Sequence, residues 1–453
     1  MVTASYDKTL RVWELSTGRP LRVIRPPMGE GNEGRLDAVA LSPDGRTLAC
    51  GGWTGSWDKE GHIYLFNLRT GAFLRRLTGL HNVISHLAFS RDGKFLAATL
   101  GGKNGVRIFR TGDWGLQAED RDYGDTSYWA EFDALGRLAT TSRDGFIRLY
   151  GRGFKLLSKK QAPGGSRPAS VAFSPSSDLN EIRLAVGFVD STRVDVLSGQ
   201  DLTYLYSPDT TGVSNGSLNV VAWSKDGKDI YTGGSYNVGG EFPIFKWTDM
   251  GKGQRSALKG PHNTLMHILP LKDGSLAFVA SDPAWGVLDR EGRSKYVHGP
   301  AIADYRNNLD GFLTNLEGSK VRFGYEVREK GTADISVQNR SLSLDPDQDP
   351  LLSSPLTSSP YMEVTDWKDR EHLKLKGKEL KLFPYDRIQS LAISPDQSAF
   401  LLGTLYRLMF LNQGGRILWY VRTPGAAWAV NLSGNGKIAL AALGDGTIRW
   451  YRI

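Results

Sequence analysis

Apolar and polar positions alternate in short strands along the whole chain, and two arrangements of strand and turn keep returning. The first is a seven-residue cassette: DKTLRVW from Asp7 to Trp13, DGFIRLY from Asp144 to Tyr150 and DGTIRWY from Asp445 to Tyr451. Each copy reads Asp, two turn residues, apolar, Arg, apolar, aromatic. An Asp carboxylate can cap a reverse turn while the side chains beyond it alternate between two faces, so the cassette predicts a turn that opens into a strand.

The second arrangement is a strand, a Ser-Pro-Asp-Gly-like turn and another strand. It occurs as AVALSPDGRTLACGG from Ala38, HLAFSRDGKFLAATL from His86, SVAFSPSSDLNEIRLAVGF from Ser170, VVAWSKDGKDIYTGG from Val220, SLAISPDQSAFLLGT from Ser390 and AVNLSGNGKIALAAL from Ala429. Weaker copies start at Glu131 and Leu269. Most steps between successive turns are 38 to 50 residues. Short, evenly spaced strands with Gly-rich turns predict an all-β fold of radially repeated antiparallel sheets, a β-propeller.

Taken together these residues resemble the WD40 repeat, and the resemblance covers essentially the whole chain. The family pattern places a His before the first strand of a repeat, Ser or Thr on the second, Asp in the next turn and Trp on the third. Ser5, Asp7 and Trp13 match it; Ser142, Asp144 and Tyr150 match with Tyr for Trp; Asp445 and Tyr451 match with Leu443 in place of the hydroxyl residue. His81 and His262 stand where the structural His belongs. The resemblance implies a WD40-type β-propeller of roughly ten blade-like units plus partial blades, arranged as two propeller units. The stretches Arg25 to Gly55 and Ala427 to Ile453 also look like bacterial WD40 proteins that accompany a caspase-like peptidase or a signalling ATPase.

The chain opens with second, third and fourth strands of a blade and closes with first, second and third strands. Counting seven units back from the end puts a seam in APGGSRP, so the expected arrays are residues 1–163 and 164–453. The most Pro-, Ser- and Asp-rich segment, 341–360, reads as an insertion, and LKLKGKELKL after it reads as a hairpin turning at Gly377.

Composition narrows the chemistry. One cysteine, Cys50, excludes an internal disulfide framework, and its place on an apolar strand predicts a buried thiol. Net charge is +8, but 56 Lys and Arg are scattered among 48 acids, which reads as solvated surface and argues against nucleic acid as the partner. No leader-like or membrane-spanning run is present, so a cytoplasmic protein with no membrane role is expected.

Three motifs tempt a catalytic or metal reading. GVSNG around Ser214 has the G-x-S-x-G form, but strand-like sequence flanks it on both sides where the elbow needs a helix. HNVISH and HNTLMH repeat one two-histidine spacing, His81 with His86 and His262 with His267, for which structural roles are expected. Asp345, Asp347 and Asp349 open a calcium-loop pattern that fails at Pro350 and Leu356. No catalytic residue, cofactor or metal is assigned. The expected function is a non-enzymatic protein-interaction scaffold or sensor; the alternatives are the regulatory portion of a caspase-like or ATPase effector, or an enzyme with a site in a central channel. Partner contacts are expected on loop aromatics of one face: Trp53, Trp57, Tyr123, Tyr128, Tyr236, Trp285 and Tyr406.

Overall fold

The Ser-Pro-Asp-Gly-like turns fold by one repeated set of hydrogen bonds. In the first, the Ser42 hydroxyl donates to Asp44 Oδ1 (2.5 Å) and accepts from the Thr47 amide (2.8 Å), while Asp44 Oδ1 also accepts from the Arg46 amide (3.0 Å). Ser90 with Asp92, Ser224 with Asp226, Ser394 with Asp396 and Ser433 with Asn435 repeat it. The turn closes on a residue in the left-handed region, Gly45 at φ +69°, so glycine is the low-strain choice there; Gln397 takes φ +59° where the repeat lacks it. Each turn fixes the register of the two strands it joins.

The computed structural model describes residues 1–27, 29, 31–55, 60–282, 284–299, 311–327, 329–384 and 386–453. Among these there is no α-helix, and the strands form eleven antiparallel sheets, eight of four strands and three of three. This is the architecture of WD40-type β-propeller blades. The chain divides into two compact units. One comprises Met1–Ser5, Thr9–Pro26 and Arg35–Gly299; the other comprises Tyr6–Lys8, Pro27–Gly34 and Pro300–Ile453. The division therefore falls at Gly299/Pro300. The seam expected near 161–170 lies inside the first unit, where Leu156–Gln161 ends one blade and Pro168–Phe173 begins the next.

The first unit holds seven sheets, here blades 1 to 7. Six have a first, innermost strand: Arg35–Leu41, Ile84–Phe89, Ser127–Phe132, Pro168–Phe173, Val220–Trp223 and Leu265–Pro270. Blade 1 has three strands, Val2–Ala4, Leu10–Trp13 and Pro20–Ile24. A separate apolar cluster fills each blade-to-blade interface, such as Leu10, Leu36 and Tyr64 between blades 1 and 2, or Val171, Leu184 and Ile147 between blades 4 and 5. The seventh cluster joins blade 7 back to blade 1: Trp285, Ala277 and Val287 meet Met1, Trp13 and Leu15. Trp285 lies 5.2 Å from Trp13, Tyr296 donates to the Leu15 carbonyl, and His298 Nε2 lies 2.8 Å from the Gly18 carbonyl. Seven sheets with seven filled interfaces are a closed ring.

The second unit has four sheets and three such interfaces. Val364–Thr365, His372–Leu375 and Lys378–Lys381 form a sheet that packs on the one starting at Ile388–Ile393. That sheet packs on the one starting at Ala427–Leu432, which in turn meets the sheet starting at Leu313–Thr314 through Phe312, Val321, Ala429 and Leu440. The sheet that comes first in the chain thus lies beside the last. The 341–360 segment makes this possible: Ser353 bridges to Thr314, Leu356 bridges to Ile393, and Asn431 Nδ2 donates to the Phe312 and Ser353 carbonyls at 2.7 and 3.1 Å. Asp349 accepts from Lys320 (2.8 Å) and Asp345 from the Tyr325 hydroxyl (2.9 Å), so these two acids are structural. The hairpin predicted around Gly377 is present, with Gly377 at φ +76°.

The three cassettes differ in the contacts around their Asp, which is buried at Asp445 and half-buried at Asp7 and Asp144. Asp144 accepts from the Gly124 and Phe146 amides (2.9 and 3.1 Å) and pairs with the buried Arg148 guanidinium at 2.7 Å. Arg148 lies 3.8 Å over the Tyr123 ring; the Tyr123 and Tyr150 hydroxyls are 2.9 Å apart, and Tyr150 donates to Asp120. Ser142 donates to the Thr126 carbonyl at 3.0 Å. Asp445 accepts from Thr447, but its Arg449 partner stands at 3.5 Å and is partly exposed. Tyr451 is half-buried beside Trp419. In blade 1 the Trp13 indole donates to the Thr3 hydroxyl (2.9 Å), and Ser5 and Asp7 are half-buried in the turn region.

Candidate functional site at the axis of the ring

Every inner strand of the ring except Val220–Trp223 carries an irregularity in register near its start: between Leu36 and Ala38, Ile84 and His86, Ser127 and Trp129, Pro168 and Val171, and Leu265 and His267. A β-bulge adds one residue and re-aims the side chain beyond it. At that position blades 3, 4 and 7 place His86, Trp129 and His267.

The three rings stack. His86 lies 3.8 Å from Trp129 and Trp129 lies 5.6 Å from His267, each pair tilted by only 21°. Blades 3 and 4 are neighbours, whereas blade 7 joins blade 1, so the stack reaches across the axis, with all three rings half-buried. His86 Nδ1 accepts the Ala130 amide at 3.4 Å, which places the proton of the neutral ring on Nε2. Burial lowers the His86 pKa to about 3, with the nearby His267 adding to the effect, and burial lowers that of His267 to about 4. Both are neutral imidazoles at pH 7.

Two residues beyond Trp129, roughly 7 Å along the strand, Glu131 faces the same axis and accepts the Phe173 amide of blade 5 at 3.1 Å. Burial pushes its pKa up to about 7; that amide, and then Arg91 and Lys225, hold it from rising further. A carboxyl that titrates near neutrality marks Glu131 as the group of this axis whose charge changes around pH 7. No group of three or more His, Cys, Asp or Glu suited to a metal ion occurs among the described residues.

This axial cluster was not anticipated. Inner strands such as AVALS and SVAFS are apolar, as read from the sequence, and His81 and His262 were assigned the structural role. Both are in fact exposed, while the second histidine of each pair, His86 and His267, turns into the ring. The repeat of the HNVISH spacing in HNTLMH was the available signal.

The loop aromatics fare unevenly. Tyr123, Tyr236 and Trp285 are 4%, 8% and 2% exposed and fill interface clusters, so they are corrected from contact residues to core residues. An aromatic at a blade top folds back when a neighbouring blade offers apolar surface, because burial there recovers more than a solvated ring can. Trp53, Tyr128 and Tyr406 are half-buried, and Trp57 lies outside the described residues. Ser214 is exposed in a loop between Tyr204–Tyr206 and Val220–Trp223, with no helix after it. Cys50 is fully buried, and burial pushes its thiol pKa up.

No family model matches the chain. It is similar to the small ribosomal subunit protein RACK1 of Caenorhabditis elegans, 34% identical over 101 residues, which cover 22% of this chain and 27% of that protein. It is similar to the target of rapamycin complex subunit wat1 of Schizosaccharomyces pombe, 29% identical over 22% of this chain and 28% of the relative. It is also similar to autophagy-related protein 18 of Vanderwaltozyma polyspora, 38% identical over 24% of this chain and 19% of the relative. The matches span less than a third of each relative's length. These relatives are WD40-repeat proteins. Among solved structures the computationally designed Ika8 protein aligns over 94% of this chain and 98% of its own, at 16% identity and a TM-score of 0.44. No described helix is long and apolar enough to cross a membrane.

Proposed function

We propose that the chain is a non-enzymatic protein-interaction scaffold or sensor that engages a protein partner through the outer rim of its ring. The observation that carries this reading is the exposure of large apolar side chains on the outermost strands of five consecutive blades. Leu21 and Val23, Phe73 and Leu74, Leu116, Leu156 and Leu157, and Tyr204 and Leu205 are each between 40% and 57% exposed. Repeated apolar pairs on solvent-facing strands favour protein contact. Arg22, Arg75, Arg76, Lys159 and Lys160 lie on the same strands and suit a partner with acidic groups at its edge. Likeness to WD40-repeat proteins supports the scaffold role.

Trp53 and Tyr128 form a second, smaller contact surface on the loop face of the ring, and Tyr406 belongs to the same proposal in the second unit. In its finer form, the chain is the regulatory portion of a caspase-like or ATPase effector, which would itself be the partner. The test is capture from native cell extract on the full chain and on Phe73→Asp and Leu157→Asp variants. A stoichiometric partner retained at least about tenfold less by a folded rim variant supports the reading. Saturable turnover of a small molecule by the purified chain would overturn it, and a partner lost only on Trp53→Ala or Tyr128→Ala would move the surface to the loop face.

A further inference from the structure

The turns that join third to fourth strands close on a residue in the left-handed region. In blades 1, 2, 3 and 5 that residue donates its amide four residues back: Gly18 to Glu14, Gly71 to Asn67, Trp114 to Arg110 and Leu202 to Ser198. The glycines take φ +75° and +74° without strain, whereas Trp114 at +61° and Leu202 at +64° carry side chains that disfavour this conformation. Leu202 is 2% exposed and offsets that cost by filling the interface of blades 4 and 5. Trp114 does so only in part: it lies edge-on to Phe89, 6.5 Å away, over the interface of blades 2 and 3, and stays half-buried. Beside it runs a groove of about 350 Å³ between the outer strands Phe73–Leu80 of blade 2 and Leu116–Asp120 of blade 3. Leu77 and Phe109, both buried, lie at its base; Arg75 and Arg76 line it from blade 2, and Trp114 and Leu116 from blade 3. Arg75 Nη1 donates to the Asp113 carbonyl at 3.0 Å, while the Asp113 carboxylate pairs with Arg110 at 2.9 Å and Glu119 pairs with Arg107 and Arg121. Among the described residues no acid pairs with Arg75 or Arg76.

We propose that this groove binds an acidic peptide segment of a protein partner, with one large apolar side chain laid against Trp114 and the carboxylates beside it taken by Arg75 and Arg76. The proposal rests on the rim reading above and gives it a place and a chemistry. Three observations select this occupant. The groove has an apolar base and a volume at the small end of the range for ligand pockets, about 300 to 1,000 Å³, which suits a single anchoring side chain. Two guanidiniums left without an acid call for carboxylates, which the planar fork of arginine receives by two parallel hydrogen bonds. The third is the left-handed Trp114 itself: backbone strain that burial does not fully offset gathers at positions that contact a ligand, and Trp and Arg are the side chains that dominate protein contacts.

The test is calorimetric titration of the full chain with the peptide Gly-Asp-Glu-Phe-Glu-Asp-Gly at constant ionic strength. Saturable binding is expected, weakened at least about tenfold when Ala replaces Phe in the peptide and at least about tenfold in the chain carrying both Arg75→Gln and Arg76→Gln. Trp114→Gly, in which glycine suits the left-handed backbone, keeps the fold and should weaken binding by a similar factor. No saturable heat with millimolar peptide overturns the proposal. Equal affinity for the Phe and Ala peptides would mean diffuse attraction to a basic chain, and equal affinity in both groove variants would place the site elsewhere; either overturns it. Retention of phosphatidylserine vesicles, or dimerisation of the free chain, that is lost in the double arginine variant while the peptide gives no heat would overturn it by giving the groove another occupant. Partner capture keeps the two readings apart. A partner lost on Leu157→Asp but held by the groove variants leaves the rim reading standing and overturns this one, whereas peptide binding in the absence of any captured partner supports the groove alone.

Discussion

The seven-sheet ring and the four-sheet second unit are built from the same turn and the same sheet, yet among the described residues they differ at the inner-strand bulge. In the ring, the position beyond the inner-strand bulge carries His86, Trp129 and His267. In the second unit the corresponding positions are Ser390, which donates to the Ala427 carbonyl at 2.8 Å, and Ala429, which is buried. His86 and His267 are half-buried against the Trp129 ring on the axis of the ring, and that loss of water is what holds both imidazoles below their ordinary pKa.

The residue that closes the ring should be costly to remove. Trp285→Ala takes away a ring that is 2% exposed at the junction of blades 7 and 1 and should cost about 3 to 5 kcal/mol, read by denaturant titration. A loss near zero would mean that the ring does not depend on this seam. A smaller effect is expected at the cassettes. Asp144→Ala strands the buried Arg148 and should cost about 2 to 3 kcal/mol, with the partial exposure of the pair already discounted. Asp445→Ala removes a carboxylate that is 1% exposed and accepts from both the amide and the hydroxyl of Thr447, and should also cost about 1 to 3 kcal/mol.

The sheets were legible because each turn advertises itself: Ser, Asp and Gly at fixed offsets have only one economical way to bond, as Ser42 and Asp44 show. The three-stranded first and last sheets also follow from the order of apolar runs. The axial site was not legible, for a geometric reason. Strict alternation puts His86 on the same side as the buried Ile84, but the bulge spaces the buried positions three apart, at Ile84 and Leu87, Ser127 and Ala130, Leu265 and Ile268. The residues between them are thereby aimed at the axis. Nor could sequence show which loop aromatics would find a neighbouring blade to lie against, as Tyr236 and Trp285 do.

The most direct test of the axial ring stack is a histidine titration of the full chain by NMR, following its seven imidazoles from pH 8 to pH 4. His86 and His267 have pKa values lowered to about 3 and about 4 in the folded ring, below the 6.5 of a free imidazole, so the unfolded chain takes up their protons first. Their contribution to stability is therefore complete above pH 6.5 and is lost as pH falls toward 4 and then 3. The account predicts two imidazoles that remain neutral at pH 5, bear ring-current shifts from Trp129, and lose those shifts in Trp129→Ala. Seven imidazoles that all protonate near pH 6.5, with no shift dependent on Trp129, would contradict it.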